Sequence, residues 1–173
     1  MMKTNQKNLE FPVQSAYFVG SLVLVNNKGE ILLAKERNNY DVWTVPGGEV
    51  DYKDKEQFID AAIRETEEEV GISVEKNNAE LIDVRISYAE GDNPYKKNEI
   101  FIPVITYIAK LPKGQEIKLK RSEDEIERKY DVEEYVWMKL DEIIKKNIKV
   151  HENFVKTIPK IREWIENNKY AGK

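Results

Sequence analysis

The sequence predicts an α/β (α+β) protein in which helices pack against a β-sheet. Three observations support this fold class. Two apolar runs joined by a turn near the start are typical of a β-hairpin, a central stretch repeats its apolar residues with helical spacing, and strand-like runs alternate with amphipathic segments downstream. The length of 173 residues suits one domain, and no internal repeat or linker divides the sequence.

The first part of the chain is predicted to form strands and tight turns. Residues 15–25 are dense in Tyr, Phe, Val and Leu, and the turn residues 26–29 separate them from the apolar run 31–34, which predicts a hairpin. A short strand is predicted over 42–45, and Pro46-Gly47-Gly48 is predicted to end regular structure there.

A helix is predicted from about Asp54 to Val70. At about 100° per residue its apolar residues fall within one arc, and Gly71 follows as a helix C-terminal glycine should. That arc consists of Ile59, Ala62, Ile63, Thr66 and Val70. We therefore expect this face of the helix to pack against the sheet.

Further strands are predicted downstream of the helix. Residues 82–88 alternate apolar and polar side chains, which is typical of a half-buried strand. Residues 100–111 predict a long apolar strand, in which Pro103 indicates an edge or a bulge. A short strand is predicted over 135–138, followed by a short helix that Asp141 caps.

The C-terminal tail is predicted to be an amphipathic helix with a basic, solvated face. Its apolar residues recur at helical spacing: Phe154, Ile158, Ile161 and Ile165. Pro159 is expected in the first turn with Thr157 as the cap, in preference to a kink within the helix. His151, the only histidine, is expected at the surface or at a helix cap.

Composition and charge exclude several function classes. The 28 Lys and Arg residues against 32 Asp and Glu residues give a formal charge of -4, so no overall basic field favours nucleic acid. The chain contains no cysteine and one histidine, which excludes disulfides, thiolate metal sites and the usual zinc catalysis. No apolar run suffices for a membrane span, and the polar N-terminus does not resemble a signal peptide, so we expect a cytoplasmic protein.

The most informative segment is the acidic part of the central helix. Glu65, Glu68 and Glu69 stand at i, i+3 and i+4, so their carboxylates project from one face. Such a cluster costs helix stability but offers the hard oxygen ligands that Mg²⁺ or Mn²⁺ prefers. An exposed glutamate-rich helix without a ligand is the alternative. The Pro-Gly-Gly turn before the helix favours the metal site, because glycine lets backbone groups approach a metal or a phosphate closely.

These residues resemble the signature of the Nudix hydrolases, Gly-x5-Glu-x7-Arg-Glu-(aliphatic)-x-Glu-Glu-x-Gly-(aliphatic). The matching positions are Gly48, Glu56, Arg64, Glu65, Glu68, Glu69, Gly71 and Ile72. Seven residues instead of five separate Gly48 from Glu56, and Thr66 replaces an aliphatic residue. The resemblance covers about residues 15–144 of a single domain, 1–173, and leaves 145–173 as a C-terminal helical extension.

The resemblance implies a fold and a reaction. The fold is an α/β/α sandwich with a mixed β-sheet between helices. The reaction is the Mg²⁺-dependent (or Mn²⁺-dependent) hydrolysis of a diphosphate bond in a nucleoside diphosphate linked to another group, which includes nucleoside triphosphates, dinucleoside polyphosphates and nucleotide sugars. A non-catalytic Nudix-fold module that senses or binds a nucleotide is the alternative function.

The resemblance also implies roles for residues. Glu65, Glu68 and Glu69 would hold the metal ions, with the Gly47 carbonyl as a further ligand. Arg64 would orient Glu65, and Glu56 would support that arrangement. The candidates for the general base are Glu68 and Glu69 on the helix and Asp131, Glu133 and Glu134 before Trp137.

Candidate substrate-binding residues are Gly48, Arg37 and Tyr88. A tyrosine near position 88 resembles a marker of dinucleoside polyphosphate hydrolases, although a core position in the predicted strand explains it as well. The expected partner is a small nucleotide-type substrate, with no membrane and with nucleic acid unlikely. A homodimer is compatible with the sequence.

Overall fold

The computed structural model describes residues 18–36, 42–51, 55–90, 99–119 and 131–168. Six strands, three α-helices and one 3-10 turn follow one another along these residues: β1 Val19–Val25, β2 Ile31–Glu36, β3 Gly47–Glu49, α1 Phe58–Val70, the 3-10 turn Lys76–Asn78, β4 Glu80–Glu90, β5 Glu99–Lys110, β6 Val132–Met138, α2 Leu140–Lys145 and α3 Glu152–Asn168. Within these ranges, none of the helices has the length and apolar character that crossing a membrane requires.

All six strands form one mixed sheet. The strand order is β4-β5-β1-β2-β6, and β3 pairs with β1 outside this path. β1 runs parallel to β5, and the other pairs are antiparallel. Side chains of β1 alternate between two cores, with Leu22 and Leu24 on the face that α1 covers and Val23 and Val25 on the face that α2 and α3 cover. The predicted mixed sheet between helices is confirmed.

The predicted hairpin is also confirmed. β1 and β2 pair antiparallel, and the side chain of Asn26 organises the turn between them. Its Oδ1 accepts hydrogen bonds from the backbone N–H groups of Lys28 (2.9 Å) and Glu30 (3.1 Å). A short polar side chain that bonds to its own backbone in this way is what makes Asn a frequent turn residue.

The prediction that Pro46-Gly47-Gly48 ends regular structure is wrong for the two glycines. Gly47–Glu49 is strand β3, in which Gly47 pairs with Ser21 of β1. Pro46 lies just outside the strand, where its carbonyl accepts a hydrogen bond from the Leu22 N–H at 2.9 Å. The two glycines therefore lie against β1 and are held by it.

The alternation predicted for β4 is inverted after its first residues. Val84 and Ile86 are 60% and 55% exposed, whereas Asp83 is 4% exposed. The register shifts between Leu81 and Asp83, which leaves Ile82 as an additional residue without a partner on β5. Because one additional residue moves every following side chain to the other face, the polar residues after the bulge point towards α3.

The buried Asp83 carboxylate is surrounded by donors from β4 and α3. Arg85 and Lys160 form ion pairs with it, and the Thr157 hydroxyl donates to it at 3.0 Å. Burial raises the pKa of Asp83, but the hydrogen bonds from these three side chains outweigh burial and hold the pKa below its ordinary value. A charged group therefore joins the edge strand to the C-terminal helix.

The helical prediction for the tail is confirmed, but the start that we favoured is wrong. α3 begins at Glu152, so Pro159 lies inside the helix and Thr157 is not a cap. The Thr157 hydroxyl instead lies within hydrogen-bond distance of two acceptors, the Asp83 carboxylate at 3.0 Å and the Asn153 carbonyl at 2.9 Å. The carbonyl four residues before Pro159 belongs to Val155, which is 49% exposed, so water can replace the missing backbone hydrogen bond.

Of three smaller predictions, one is wrong and two agree with the structure. Asp141 does not cap α2: Lys139 is the N-cap residue, and Asp141 in the first turn pairs with Arg162 at 2.8 Å. His151 does act at a cap, since its Nδ1 accepts a hydrogen bond from the Asn153 N–H at 3.3 Å. Pro103 pairs with β4 beyond the residues of β5 that pair with β1, which agrees with a local edge.

Candidate active site

Helix α1 presents its acidic side chains beside β3. Thr66 and Val70 are buried, and Gly71 ends the helix with φ 71° and donates its N–H to the Glu67 carbonyl at 3.0 Å. The helix begins at Phe58, four residues later than predicted (58 against 54). With the apolar face fixed on the sheet, Glu65, Glu68 and Glu69 lie where the helix borders Gly47–Glu49.

Arg64 is the centre of this cluster. Its Nε and Nη2 donate to the two carboxylate oxygens of Glu56 at 2.9 and 3.1 Å. Its Nη1 donates to Glu65 at 2.8 Å and to Glu68 at 3.1 Å. Nη2 also donates to the Glu49 carbonyl at 2.9 Å. One guanidinium therefore connects three acidic side chains with the end of β3.

Glu56 closes the loop that is longer than in the family signature. Its Oε2 accepts a hydrogen bond from the Asp51 N–H at 2.8 Å, and its own N–H donates to the Asp51 carbonyl at 3.1 Å. Hydrogen bonding to Arg64 lowers the pKa of Glu56 despite partial burial. Glu56 therefore contacts Arg64 even though the loop between Gly48 and Glu56 is two residues longer than in the signature.

The Glu65 carboxylate is largely enclosed, with a side chain that is 18% exposed. Burial raises the pKa of Glu65, and Arg64 opposes this shift without cancelling it. The carboxylate lies directly against Gly48, where a Cβ atom would be 2.3 Å from its Cδ. Glycine at position 48 is therefore a condition for the observed position of Glu65.

Replacing Gly48 with Ala is expected to lower the free energy of unfolding by about 1–3 kcal/mol, because the additional methyl group would displace the Glu65 carboxylate from its charged hydrogen bond with Arg64. Urea unfolding of the variant measures this cost. In a Glu65→Ala background the space is free, so the same change is expected to cost less than about 0.5 kcal/mol. Equal costs in the two backgrounds would contradict the proposed steric contact.

Glu69 contacts Gly47, the glycine that precedes Gly48 in β3. Its Oε2 accepts a hydrogen bond from the Gly47 N–H at 3.3 Å. Gly47 has φ 155°, and a Cβ there would be 2.6 Å from the Gly20 carbonyl oxygen, so this position also requires glycine. The role of the Gly47 carbonyl as a metal ligand stays a prediction.

The three predicted ligands are close in the fold but are occupied with other partners. Among the described residues, no three acidic or histidine side chains are arranged as a ready metal cage. The reason is visible in the contacts, since Arg64 holds Glu65 and Glu68 and the Gly47 N–H holds Glu69. Glu68 has a side chain that is 58% exposed, so it can turn with little resistance.

The other predicted site residues are more scattered. Glu134 lies on β6 and pairs with Lys35 of β2 at 2.6 Å. Glu133 lies beside it on the same strand, and Asp131 directly precedes that strand. Arg37 and the side chain of Tyr88 lie outside the described residues. None of these observations assigns the general base.

A cavity of about 450 Å³ lies between the sheet and the first turns of α3. Its lining includes Gly47, Ser21, Thr106, Phe154 and Asn153. The hydroxyls of Ser21 and Thr106 are 3.1 Å apart on neighbouring strands.

Asn153 is the unusual residue of this lining, because its Oδ1 is buried without a hydrogen-bond partner among the described residues. Leaving a buried acceptor unpaired costs about 1–3 kcal/mol. Sequence reasoning missed this residue, since position 153 carries no motif. The signal that was available, a polar residue near the start of an amphipathic helix, is too common to indicate a site.

Comparisons with known proteins agree with this architecture. A family model described as the NUDIX domain matches residues 18–158. An RNA pyrophosphohydrolase from Ruthia magnifica subsp. Calyptogena magnifica is 43% identical over 54 residues, which are 31% of this chain and 28% of that protein. The alignment thus spans less than a third of that relative's length.

Two solved structures show the same fold at low sequence identity. A C. elegans Ap4A hydrolase binary complex is 23% identical, with a TM-score of 0.63 over 88% of this chain and 99% of that chain. The NUDIX domain of Shewanella oneidensis NrtR, complexed with ADP ribose, is 14% identical, with a TM-score of 0.65 over 95% and 99% of the two chains. Because the family model covers far more than half of the sequence, the chain belongs to the Nudix family.

Proposed function

We propose that this protein is a Mg²⁺-dependent pyrophosphohydrolase that cleaves a diphosphate bond in a nucleotide linked to another group. The observation on which this rests is the cluster around Arg64, which connects Glu56, Glu65 and Glu68 beside strand β3. Each acidic residue of the family signature is present: Glu56, Glu65 and Glu68 contact Arg64, and Glu69 accepts a hydrogen bond from the Gly47 N–H.

The residues fit a divalent cation in their chemistry. Carboxylate oxygens are the ligands that Mg²⁺ and Mn²⁺ prefer, and burial has raised the pKa of Glu65, so a cation beside it would stabilise the charged form. Gly48 leaves open the space that the Glu65 carboxylate uses. When bound, the ion would neutralise phosphate oxygens and supply an activated water.

The residues of the site would then have separate roles. Glu65, Glu68 and Glu69 would hold the ion after Glu68 turns from Arg64. Arg64, fixed by the bidentate contact with Glu56, would keep Glu65 in one orientation. The absence of side chains at positions 47 and 48 would let β3 lie close against β1 and the Glu65 carboxylate, which keeps the acidic residues of α1 beside this strand.

A carboxylate must also accept the proton of the attacking water. Glu134 is engaged by Lys35 at 2.6 Å on the edge strand β6. Glu68 and Glu69 lie on the helix that would hold the ion, so we favour one of these two as the general base.

A substrate panel tests the proposal. Nucleoside triphosphates, diadenosine polyphosphates, nucleotide sugars and RNA with a 5′-triphosphate are incubated with the protein and Mg²⁺, and released products are separated by chromatography. We expect one class to be hydrolysed well above the others, and removal of the ion with EDTA to stop the reaction, since without it phosphate and carboxylate charges repel.

Absence of hydrolysis across the panel would contradict the enzymatic proposal. If calorimetric titration in the same samples showed that Mg²⁺ or a nucleotide still binds, the non-catalytic nucleotide-binding module would become the better description. Hydrolysis that is unaffected by EDTA would contradict the metal site and leave the enzyme class intact.

A further inference from the structure

We propose that the apolar face that β4 and β5 present beside α1 is the docking surface of the chain's own N-terminal segment, residues 9–13. The residues of this surface, called the outer apolar face below, are Leu81, Val84, Ile86, Pro103 and Ile105. Docking at this face is independent of the carboxylate cluster and of the proposed hydrolysis.

The direction of the β4 side chains decides which side of the sheet is apolar at this edge. Asp83 is buried against α3, where Thr157 and Lys160 bond to its carboxylate. Because successive side chains of a strand alternate, Val84 and Ile86 point to the other side, on which α1 lies. They are 60% and 55% exposed, so α1 does not cover them.

Helix α1 covers only the inner part of its side of the sheet. It packs on β1 and extends as far as β5, where Tyr107 joins the apolar cluster beneath the helix. Leu81, which pairs with Tyr107, lies on the edge strand β4 and is 57% exposed. A row of large apolar side chains along an edge strand is typical of a surface that another segment or a partner covers.

The described part of the chain begins beside the outer apolar face. Because the next residue, Val19, already pairs with β5, Phe18 lies level with Pro103, which in turn pairs with Ile86 of β4. The Phe18 ring meets the Phe58 ring of α1 edge to face, with 5.8 Å between the centroids. Phe18 is therefore on the α1 side of the sheet, and the residues before it start at the end of the face.

The chain before Phe18 is long enough to reach the face. Neighbouring strands lie about 4.8 Å apart, so β4 is about 10 Å from β1 across β5. Four extended residues span about 13 Å. Residues 14–17 therefore suffice to cross the sheet, which leaves the N-terminal segment over the outer apolar face.

The composition of the N-terminal segment suits such a face. Leu9, Phe11 and Val13 are apolar and stand at every second position. In an extended chain these three side chains project to one side. Pro12 disfavours helical backbone at Phe11 and has no N–H of its own, so an extended segment here has one donor fewer to satisfy.

The other stretches outside the described residues do not offer this pattern. None of them contains three apolar residues at alternating positions. These stretches are 37–41, 52–54, 91–98, 120–130 and 169–173. Composition and starting point therefore both favour the N-terminal segment as the occupant.

A second copy of the chain is the alternative occupant. It would pair most directly through the free edge of β4, which requires a regular strand. The bulge at Ile82 interrupts this edge, and bulges are one of the features by which proteins prevent edge-to-edge pairing. A segment that lies on the face does not need the edge, so the bulge favours docking within one chain.

Paramagnetic relaxation in NMR spectra of the full chain tests the docking. The chain contains no cysteine, so Asn8→Cys carries a single nitroxide label beside the N-terminal segment. We expect it to broaden the methyl signals of Val84 and Ile86 and to leave that of Ile144 on α2 sharp. Asn167→Cys, with the same label at an exposed position near the end of α3, is the matched control and is expected to leave Val84 and Ile86 sharp.

A mixture distinguishes the chain's own segment from a second copy. Isotope-labelled native protein is mixed with nitroxide-labelled Asn8→Cys protein that carries no isotope label. We expect the signals of Val84 and Ile86 to stay sharp, because each chain covers its own face. Broadening in the mixture as strong as that within the labelled chain would show a second copy on the face and overturn the proposal.

Phe11→Ser tests whether the apolar residues of the segment hold it in place. We expect the ratio of docked to undocked chains to fall about tenfold, as the loss of one buried aromatic side chain allows, and the broadening of Val84 and Ile86 to be lost with it. Gln14→Ser, a polar position outside the segment, is expected to retain the broadening.

Two results would overturn the proposal irrespective of the mixture. One is the absence of broadening at Val84 and Ile86 in the labelled Asn8→Cys protein, and the other is broadening that Phe11→Ser leaves unchanged. If Phe11→Ser does not fold, the labelled protein with Phe11 intact and the mixture decide alone. Hydrolysis of a nucleotide is not a readout of any of these samples, so failure of the docking and failure of the proposed function are distinguishable.

Discussion

Replacing Glu68 with Gln is expected to lower kcat for diphosphate hydrolysis by about 10³-fold while the fold stays intact. A metal ion supplies several kcal/mol of transition-state stabilisation, and each 1.36 kcal/mol corresponds to about tenfold in rate. Glutamine keeps the shape of the side chain but loses the charge that would hold the ion. The effect on stability is expected to be below about 0.5 kcal/mol, because the side chain is 58% exposed and its ion pair with Arg64 lies in contact with water.

Glu67→Gln is the matched control for this variant. Glu67 is the adjacent residue of the same helix and is exposed, and its substitution removes the same charge from the chain. We expect its kcat to stay within about twofold of the native value. A Glu68→Gln enzyme with native kcat at native Mg²⁺ concentration would show that Glu68 is neither a metal ligand nor the general base.

The helix that carries the acidic residues could be predicted because its signals are local. The spacing of Ala62, Thr66 and Val70 and the glycine at position 71 are properties of consecutive residues, and the structure buries those side chains and ends the helix there. The start was placed too early, since charged residues before Phe58 are as compatible with a helix as with a loop.

The inverted face of β4 could not be predicted in this way. One additional residue, Ile82, reverses the direction of Val84 and Ile86, and the bulge depends on pairing with β5, which lies beyond the next loop. The burial of Asp83 follows from that reversal, and two of its three donors, Thr157 and Lys160, come from a helix more than seventy residues away. A period-2 pattern indicates a strand but not which side is buried.

The cavity and Asn153 lie further still from what a sequence pattern can indicate. Residues of β1, β3, β5 and α3 line the cavity together, and none of the lining residues is a matching position of the family signature. Thr157 illustrates the difficulty. Its position before Pro159 predicts a helix N-cap, but its hydroxyl donates a hydrogen bond to Asp83, a partner that only the tertiary fold supplies.

Replacing Arg64 with Met is expected to lower the free energy of unfolding by about 2–3 kcal/mol near pH 7. Glu56 and Glu65, whose side chains are 12% and 18% exposed, would lose the cation that compensates their burial. Removing one partner of a buried ion pair costs about 3–5 kcal/mol. We expect a smaller value here because the Arg64 side chain is 36% exposed, so water would reach the site.

Arg162→Met is the matched control. Arg162 pairs with Asp141 at 2.8 Å, but these side chains are 42% and 79% exposed, so its loss is expected to cost less than about 1 kcal/mol. Urea unfolding of both variants and the native protein gives the comparison. Equal costs would mean that Arg64 acts as an ordinary surface residue.

The cost of Arg64→Met is also expected to depend on pH. Arg64 lowers the pKa of Glu56, so the stability from this contact is complete above the ordinary pKa of a glutamate and is lost as the pH falls through the lowered value. Burial already raises the pKa of Glu65, and without Arg64 this residue would take up a proton at a still higher pH, which stabilises the variant as the pH falls. Both effects make the difference in the free energy of unfolding between the native protein and the variant smaller as the pH falls from about 7 to about 4. A difference that stayed constant over this range would show that Arg64 stabilises the site through the packing of its aliphatic chain and not through its charge.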